Sequence, residues 1–177
     1  MKISQTTTVA EIGALVCEAL AKQKIDVILT GGAVVSIYTL NEYQSYDLDF
    51  VLLGMFKKVD ATMTALGFEK KGGRHWHHPD SEYYVEFPGS TIAIGEELDI
   101  EISEMKTRVG SLKLLSPTSS CMDRLAAYFH WNDRQGLDQA VMIAKKHPIQ
   151  LDRIEKWSQR EGSHAKFKEF ADRLSRM

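Results

Sequence analysis

The chain has 177 residues, 44% of them hydrophobic and 26% charged. That is enough apolar material for one ordinary domain with a small helical appendage, and it excludes wholesale disorder. The 22 basic and 24 acidic residues leave a formal charge of -2, which argues against a domain that mainly wraps DNA or RNA but not against a local basic groove. No apolar run approaches the ~20 residues needed to span a bilayer. The N-terminus lacks a basic-then-apolar signal layout, so a soluble cytoplasmic protein without membrane contact is expected. Cys17 and Cys121 have no partner at metal-binding spacing and read as buried small hydrophobes.

Thr8 followed by Glu11 is a capping-box signature, and Val9, Ile12, Leu15, Val16, Ala19 and Leu20 recur at helical spacing, which predicts a helix over 8–23. Residues 26–30, DVILT, read as a buried strand broken by Gly31-Gly32. A helix over 33–40 follows, then a strand over 47–53 and a helix over 56–66. The middle of the chain is strand-like at 68–71, 74–78, 83–87, 98–102 and 112–115. The pattern changes at Ser116-Pro117, after which only helices are expected, over 117–131, 135–146, 150–160 and 164–176. The predicted organisation is therefore an α+β core over 1–115 and a helical region over 116–177 packed on it.

Two features carry chemistry. Glycines between a strand and a helix let an anion approach the backbone, where the first helical N–H groups lack internal partners. Gly31 and Gly32 fit that role, and Ser36, one turn further on, is a candidate for the same anion; a plain tight turn is the simpler alternative. Asp47 and Asp49, two residues apart on a strand, point to one face. Paired carboxylates on an otherwise apolar strand are costly unless compensated, and a divalent cation shared with substrate phosphates compensates them economically.

Leu29-Thr-Gly-Gly-Ala-Val-Val-Ser36 followed by Ser45-Tyr-Asp-Leu-Asp-Phe50 resembles the signature of the DNA polymerase β-like nucleotidyltransferase superfamily. Ser45 matches the frequent hydroxyl residue before the first Asp. The short chain and its helical half look like the minimal nucleotidyltransferases of bacterial toxin–antitoxin and abortive-infection systems. The resemblance implies a small mixed sheet flanked by helices, followed by a C-terminal helical bundle. It also implies transfer of a nucleoside monophosphate from an NTP to a hydroxyl, with Mg²⁺ or Mn²⁺ held by Asp47, Asp49 and a third carboxylate. Glu86 in the run Tyr83–Pro88 is the preferred third ligand and general base, with Asp99 or Glu101 as rivals. Arg124, in a helix of the second half, is a candidate nucleotide contact, as is Asp133. The acceptor, a protein, an RNA end or a small molecule, stays open, as do self-association and a partner encoded alongside.

Other features have quieter readings. Arg74-His-Trp-His-His78 is read as an exposed hairpin in which His75, His77, His78 or Arg74 is a candidate substrate contact; zinc would need further ligands that the sequence does not offer. Trp131 and Trp157 are expected to anchor packing, and the last helix, ending at Met177, to show a solvated basic face. Two rival functions remain: an inactive nucleotidyltransferase-fold antitoxin or binding module, and a metalloprotein built on the histidines.

Overall fold

The computed structural model describes residues 2–54 and 56–176. Helix α1 (Val9–Ala21) opens on the expected reciprocal cap, in which Thr8 accepts from the Glu11 amide and Glu11 accepts from the Thr8 amide. Strand β1 (Asp26–Thr30), helix α2 (Gly31–Tyr38) and strand β2 (Asp47–Leu53) follow. A 3-10 turn (Phe56–Lys58) leads into α3 (Val59–Ala65). Five strands come next: β3 (Glu69–Lys70), β4 (His75–His77), β5 (Tyr84–Gly89), β6 (Ile102–Thr107) and β7 (Gly110–Leu115). Four helices close the described chain: α4 (Pro117–Trp131), α5 (Arg134–Lys146), α6 (Leu151–Arg160) and α7 (His164–Ser175).

The strands form one mixed sheet of seven in the order β3-β4-β5-β2-β1-β7-β6. Strand β2 lies at its centre, antiparallel to β1 and parallel to β5. Burial alternates along β2 and β5, so Leu48, Phe50, Val85 and Phe87 enter the core while Asp47, Asp49, Tyr84 and Glu86 face the other way. The core runs without interruption from α1 and β1 into the helical half, through Met122, Leu125, Leu137 and Trp157.

Helix α2 is held from several sides. The Tyr38 hydroxyl donates to the Leu115 carbonyl at 2.7 Å, and His147 Nε2 donates to the Tyr38 carbonyl at 2.8 Å. The Ser36 hydroxyl receives the Ser45 amide at 2.8 Å and donates to the Gly32 carbonyl at 3.3 Å.

Several expectations are corrected. Helix α2 begins at Gly31 rather than 33, because Gly31 adopts φ +71 and turns the chain directly out of β1. The strand expected over 98–102 starts only at Ile102 and continues to Thr107. Its half-exposed residues give an edge strand little apolar signal, and it pairs with β7 as a hairpin. Trp131 is no packing anchor: it is 78% exposed at the end of α4, where Asn132 in the left-handed region stops the helix, whereas Trp157 is fully buried against Phe129. Met177, expected to end the last helix, lies outside the described residues. Both cysteines are buried.

Candidate active site

The two glycines are explained first by what lies against them. A Cβ on Gly31 would fall 2.7 Å from Asp49 Oδ2, and one on Gly32 would fall 2.9 Å from Ser45 Oγ. Thr30 opposes Asp49 in the β1–β2 ladder, and its hydroxyl donates to the Asp49 carbonyl at 3.1 Å. The start of α2 is thus pressed against the Asp49 carboxylate. The Ser45 hydroxyl meets the Asp47 amide and carbonyl, each at 3.3 Å, and fixes the entry into β2. Tyr43 places its hydroxyl 3.5 Å from the position a Gly32 Cβ would take, a neighbour that sequence reasoning missed.

Register settles the surroundings of the aspartates. Asp47 pairs with Tyr84 and Asp49 with Glu86 across the parallel β2–β5 ladder, so each pair shares a face on strands about 4.8 Å apart. On the far side of β5, His77 pairs with Tyr84 and His75 with Glu86. The result is two rows across three strands, Asp47–Tyr84–His77 and Asp49–Glu86–His75. His75 Nδ1 lies 3.6 Å from Glu86 Oε2. A register shift follows the Asp49–Glu86 pair, where Pro88 has no amide to give the ladder.

Burial of Asp49 pushes its carboxyl up to about 6, with further upward pressure from Glu86 and Asp47. Arg124 pulls the other way and Asp123 adds to the rise, so α4 borders the same site. Arg124 is part-buried and lies along Asp123 Oδ2, with Nε at 3.0 Å and an Nη at 2.5 Å. Its other Nη reaches Gln139 Oε1 at 3.5 Å.

Glu86, Asp47, Asp49 and Arg124 therefore border one site, with Gly31 beside it. Ser36 is not available to an anion: it is 1% exposed and both its hydrogen bonds are internal, so it sets the shape of the turn. The rivals of Glu86 are engaged elsewhere. Arg153 pairs with Asp99 and Glu101, and Gln150 also donates to Glu101 at 2.8 Å. Asp133 caps α5 through the Gln135 amide at 3.0 Å. Arg74 donates to the Pro88 carbonyl, and His78 is buried, its Nδ1 accepting from the Asp80 amide at 3.1 Å.

Among the described residues no group of three or more His, Cys, Asp or Glu side chains stands close enough together to form a ready metal cage. The donor chemistry still fits a hard divalent cation. Asp49, with Glu86 and Asp47 near it, carries negative charge that burial and its neighbours disfavour, and magnesium takes one or two carboxylates and completes its shell with phosphate oxygens and water.

No protein-family model and no curated protein matches this sequence. Solved structures do. The fold is similar to that of an antigenic nucleotidyltransferase-like protein from Paracoccidioides brasiliensis, with a TM-score of 0.61 and 14% identity over 80% of this chain and 78% of that one. It is also similar to the antibiotic-resistance factor ANT(2'')-Ia. The crystal structure of ANT(2'')-Ia in complex with adenylyl-2''-tobramycin gives a TM-score of 0.55 and 14% identity over 93% of this chain and 98% of the other. Its solution structure gives 0.51 and 14% over 97% of both. The chain has a nucleotidyltransferase-like α+β fold, and among its described residues no helix is long and apolar enough to cross a membrane.

Proposed function

We propose that this protein transfers a nucleoside monophosphate from an NTP to a hydroxyl acceptor: the acceptor oxygen bonds the α-phosphorus as the bond to the β-phosphate breaks, and pyrophosphate leaves. The observation that carries the reading is the seat of Asp49: opposite Glu86 in register, against the glycine that opens α2, and with its carboxyl pushed up by burial and two other carboxylates. Such a cluster favours a counter-charge, and the first amides of the helix that opens at Gly31 are suited to act as anion donors beside it. Asp47 and Asp49 would hold the divalent cation, with Glu86 completing the set on turning from His75; when bound, the cation would supply charge neutralisation and acidification of the attacking hydroxyl.

The chain's own groups divide the remaining work. The amides at Gly31 and Gly32 bind phosphate oxygens, and Arg124, oriented by Asp123, neutralises phosphate charge from the helical side. Glu86 accepts the acceptor's proton, with His75 at its back. In this reading residues 1–115 carry the carboxylates, and residues 116–177 supply the arginine. The likeness to ANT(2'')-Ia along nearly the whole chain supports an enzyme that modifies a small molecule more directly than a toxin–antitoxin partner. One second reading is a nucleotide-binding module without turnover, in which Glu86 is held by His75, 3.6 Å away, and does not serve as a base.

The test is incubation with each of four labelled NTPs, Mg²⁺ and cell extract, comparing wild type with Asp47→Ala/Asp49→Ala. Label transferred by wild type and lost in the variant is expected. Equal transfer by both refutes the catalytic assignment. Nucleotide binding without transfer selects the second reading.

A further inference from the structure

The carboxylate centre has two flanks, and they differ in kind. On one side, toward β1, lie the glycine turn and Arg124, which are anion-binding features. On the other side, toward the sheet edge, lie β5 and β4, where Tyr84 is 41% exposed and Arg74 is turned to the Pro88 carbonyl. In a group transfer the reacting phosphorus lies between donor and acceptor. With the nucleotide's phosphates on the β1 side, the acceptor lies over β5 and β4.

Tyr84 dominates that face. It is the register partner of Asp47, is 41% exposed, and is backed by His77 with ring centroids 5.2 Å apart and planes 37° apart. Its residue on the opposite strand face, Val85, is fully buried, so the orientation of Tyr84 is fixed by the pleat. His75 lies in the next row, beside Glu86. At the outer edge Lys71 and Glu69 pair at 3.1 Å and cancel. Once Asp47, Asp49 and Glu86 are given to the cation, the Tyr84–His77 pair itself carries no formal charge, and Arg74, just before β4, is engaged by the Pro88 carbonyl. This flank offers an aromatic face and imidazole nitrogens, which suit C–H contacts and hydroxyl hydrogen bonds rather than an ammonium or a phosphate.

We infer that Tyr84, supported by His77, is the specificity-determining residue on the acceptor side, and that the acceptor is a neutral ring polyol whose C–H face lies on the Tyr84 ring. The inference rests on the nucleotidyl-transfer reading for the position of the donor. One hydroxyl of the polyol then reaches toward Glu86, while others meet His77 and His75. The Tyr84 hydroxyl accepts and donates nothing within the chain's hydrogen bonds among the described residues, so Tyr84→Phe preserves the shelf.

The test uses the full chain with Mg²⁺ and the non-transferable nucleotide AMPCPP. Cellobiose, maltose and myo-inositol serve as neutral polyols and diglucosamine as a charged counterpart. Ring resonances of Tyr84 and His77 are followed by NMR, and thermal melts confirm that each variant folds. At least one neutral polyol should shift both rings, with diglucosamine binding no more than about threefold tighter. Tyr84→Ala should weaken that binding at least fivefold, and Tyr84→Phe should keep it within twofold. AMPCPP affinity should stay within twofold in both. Silence of both rings toward all three neutral polyols overturns the inference, as does a tenfold preference for diglucosamine or unchanged binding by Tyr84→Ala. A shift of Tyr84 caused by the AMPCPP base would place the shelf on the donor side and also overturn it. Failure of wild type to bind AMPCPP or the corresponding analogues of GTP, CTP and UTP would count against the transferase reading, whereas intact nucleotide binding with no polyol binding counts against this inference alone.

Discussion

Replacing Asp49 with Asn should stabilise the protein at neutral pH and leave it nearly unchanged in acid. The Asp49 carboxyl is raised from an ordinary value of 3.8 to about 6, first by burial and then by Glu86 and Asp47. The folded state therefore holds this proton more tightly than the unfolded chain does. Below both values there is no penalty. As pH rises from about 4 to 6 the unfolded chain loses its proton first and gains stability relative to the fold. Above about 6 the penalty is complete and levels off at about 3 kcal/mol, while near pH 4 it is about 0.5 kcal/mol. Urea denaturation at pH 4 and pH 7.5 reads the difference directly. The gain of Asp49→Asn over wild type should be larger by about 2 kcal/mol at the higher pH, more than the uncertainty of such extrapolations. Mg²⁺ added at pH 7.5 should stabilise wild type and not the variant, because ligands bind the native carboxylates by mass action. A variant less stable than wild type at pH 7.5, or an equal difference at both pH values, would refute the account of Asp49 as an uncompensated buried charge.

Three further outcomes follow from the same geometry. Gly31→Ala meets both a φ of +71 and the Asp49 carboxylate, so urea midpoints should show a loss of about 1–3 kcal/mol, with nucleotide affinity falling as well. Gly32→Ala presses on the Ser45 side chain without the unfavourable φ and should cost less by the same measurement. Arg124→Ala should weaken NTP binding at least tenfold in a fluorescence titration while Arg124→Lys recovers part of it; unchanged affinity would remove Arg124 from the site. Trp157→Ala should cost about 3–5 kcal/mol of unfolding free energy, whereas Trp131→Ala should stay within about 0.5 kcal/mol, because one is fully buried and the other 78% exposed.

The glycine-turn half of the candidate site was legible in the sequence because its parts are close along the chain. A strand, two glycines, a helix and an alternating Asp-Leu-Asp strand state their own geometry through local periodicity. The other half depends on pairing at a distance. Nothing between Asp49 and Glu86 in sequence says that β5 lies parallel to β2 in a register that makes them neighbours. His75 and Tyr84 join the site only through that register and the next, so the hairpin reading of residues 74–78 found the strand but could not choose its inward face. The preference for Glu86 came from its setting in a β-prone run, while the competing Asp99 and Glu101 turned out to serve Arg153. Trp131 misled for a related reason: helical spacing places it near Tyr128 on α4, but it is the last residue before the left-handed Asn132 and runs past the core.

Helix α2 is tied at its far end to β7 and α5 through Tyr38 and at its middle to the β2 approach through Ser36, whereas the opposite flank rests on outer strands of two and three residues. Sequence drift on those outer strands, Trp76 apart, disturbs few buried contacts, while drift in α2 disturbs a helix buried along most of its length. A lineage built on this plan would keep one kind of high-energy donor and change what it decorates, so descendants with unlike clients should share the glycine turn and differ first at positions 75, 77 and 84.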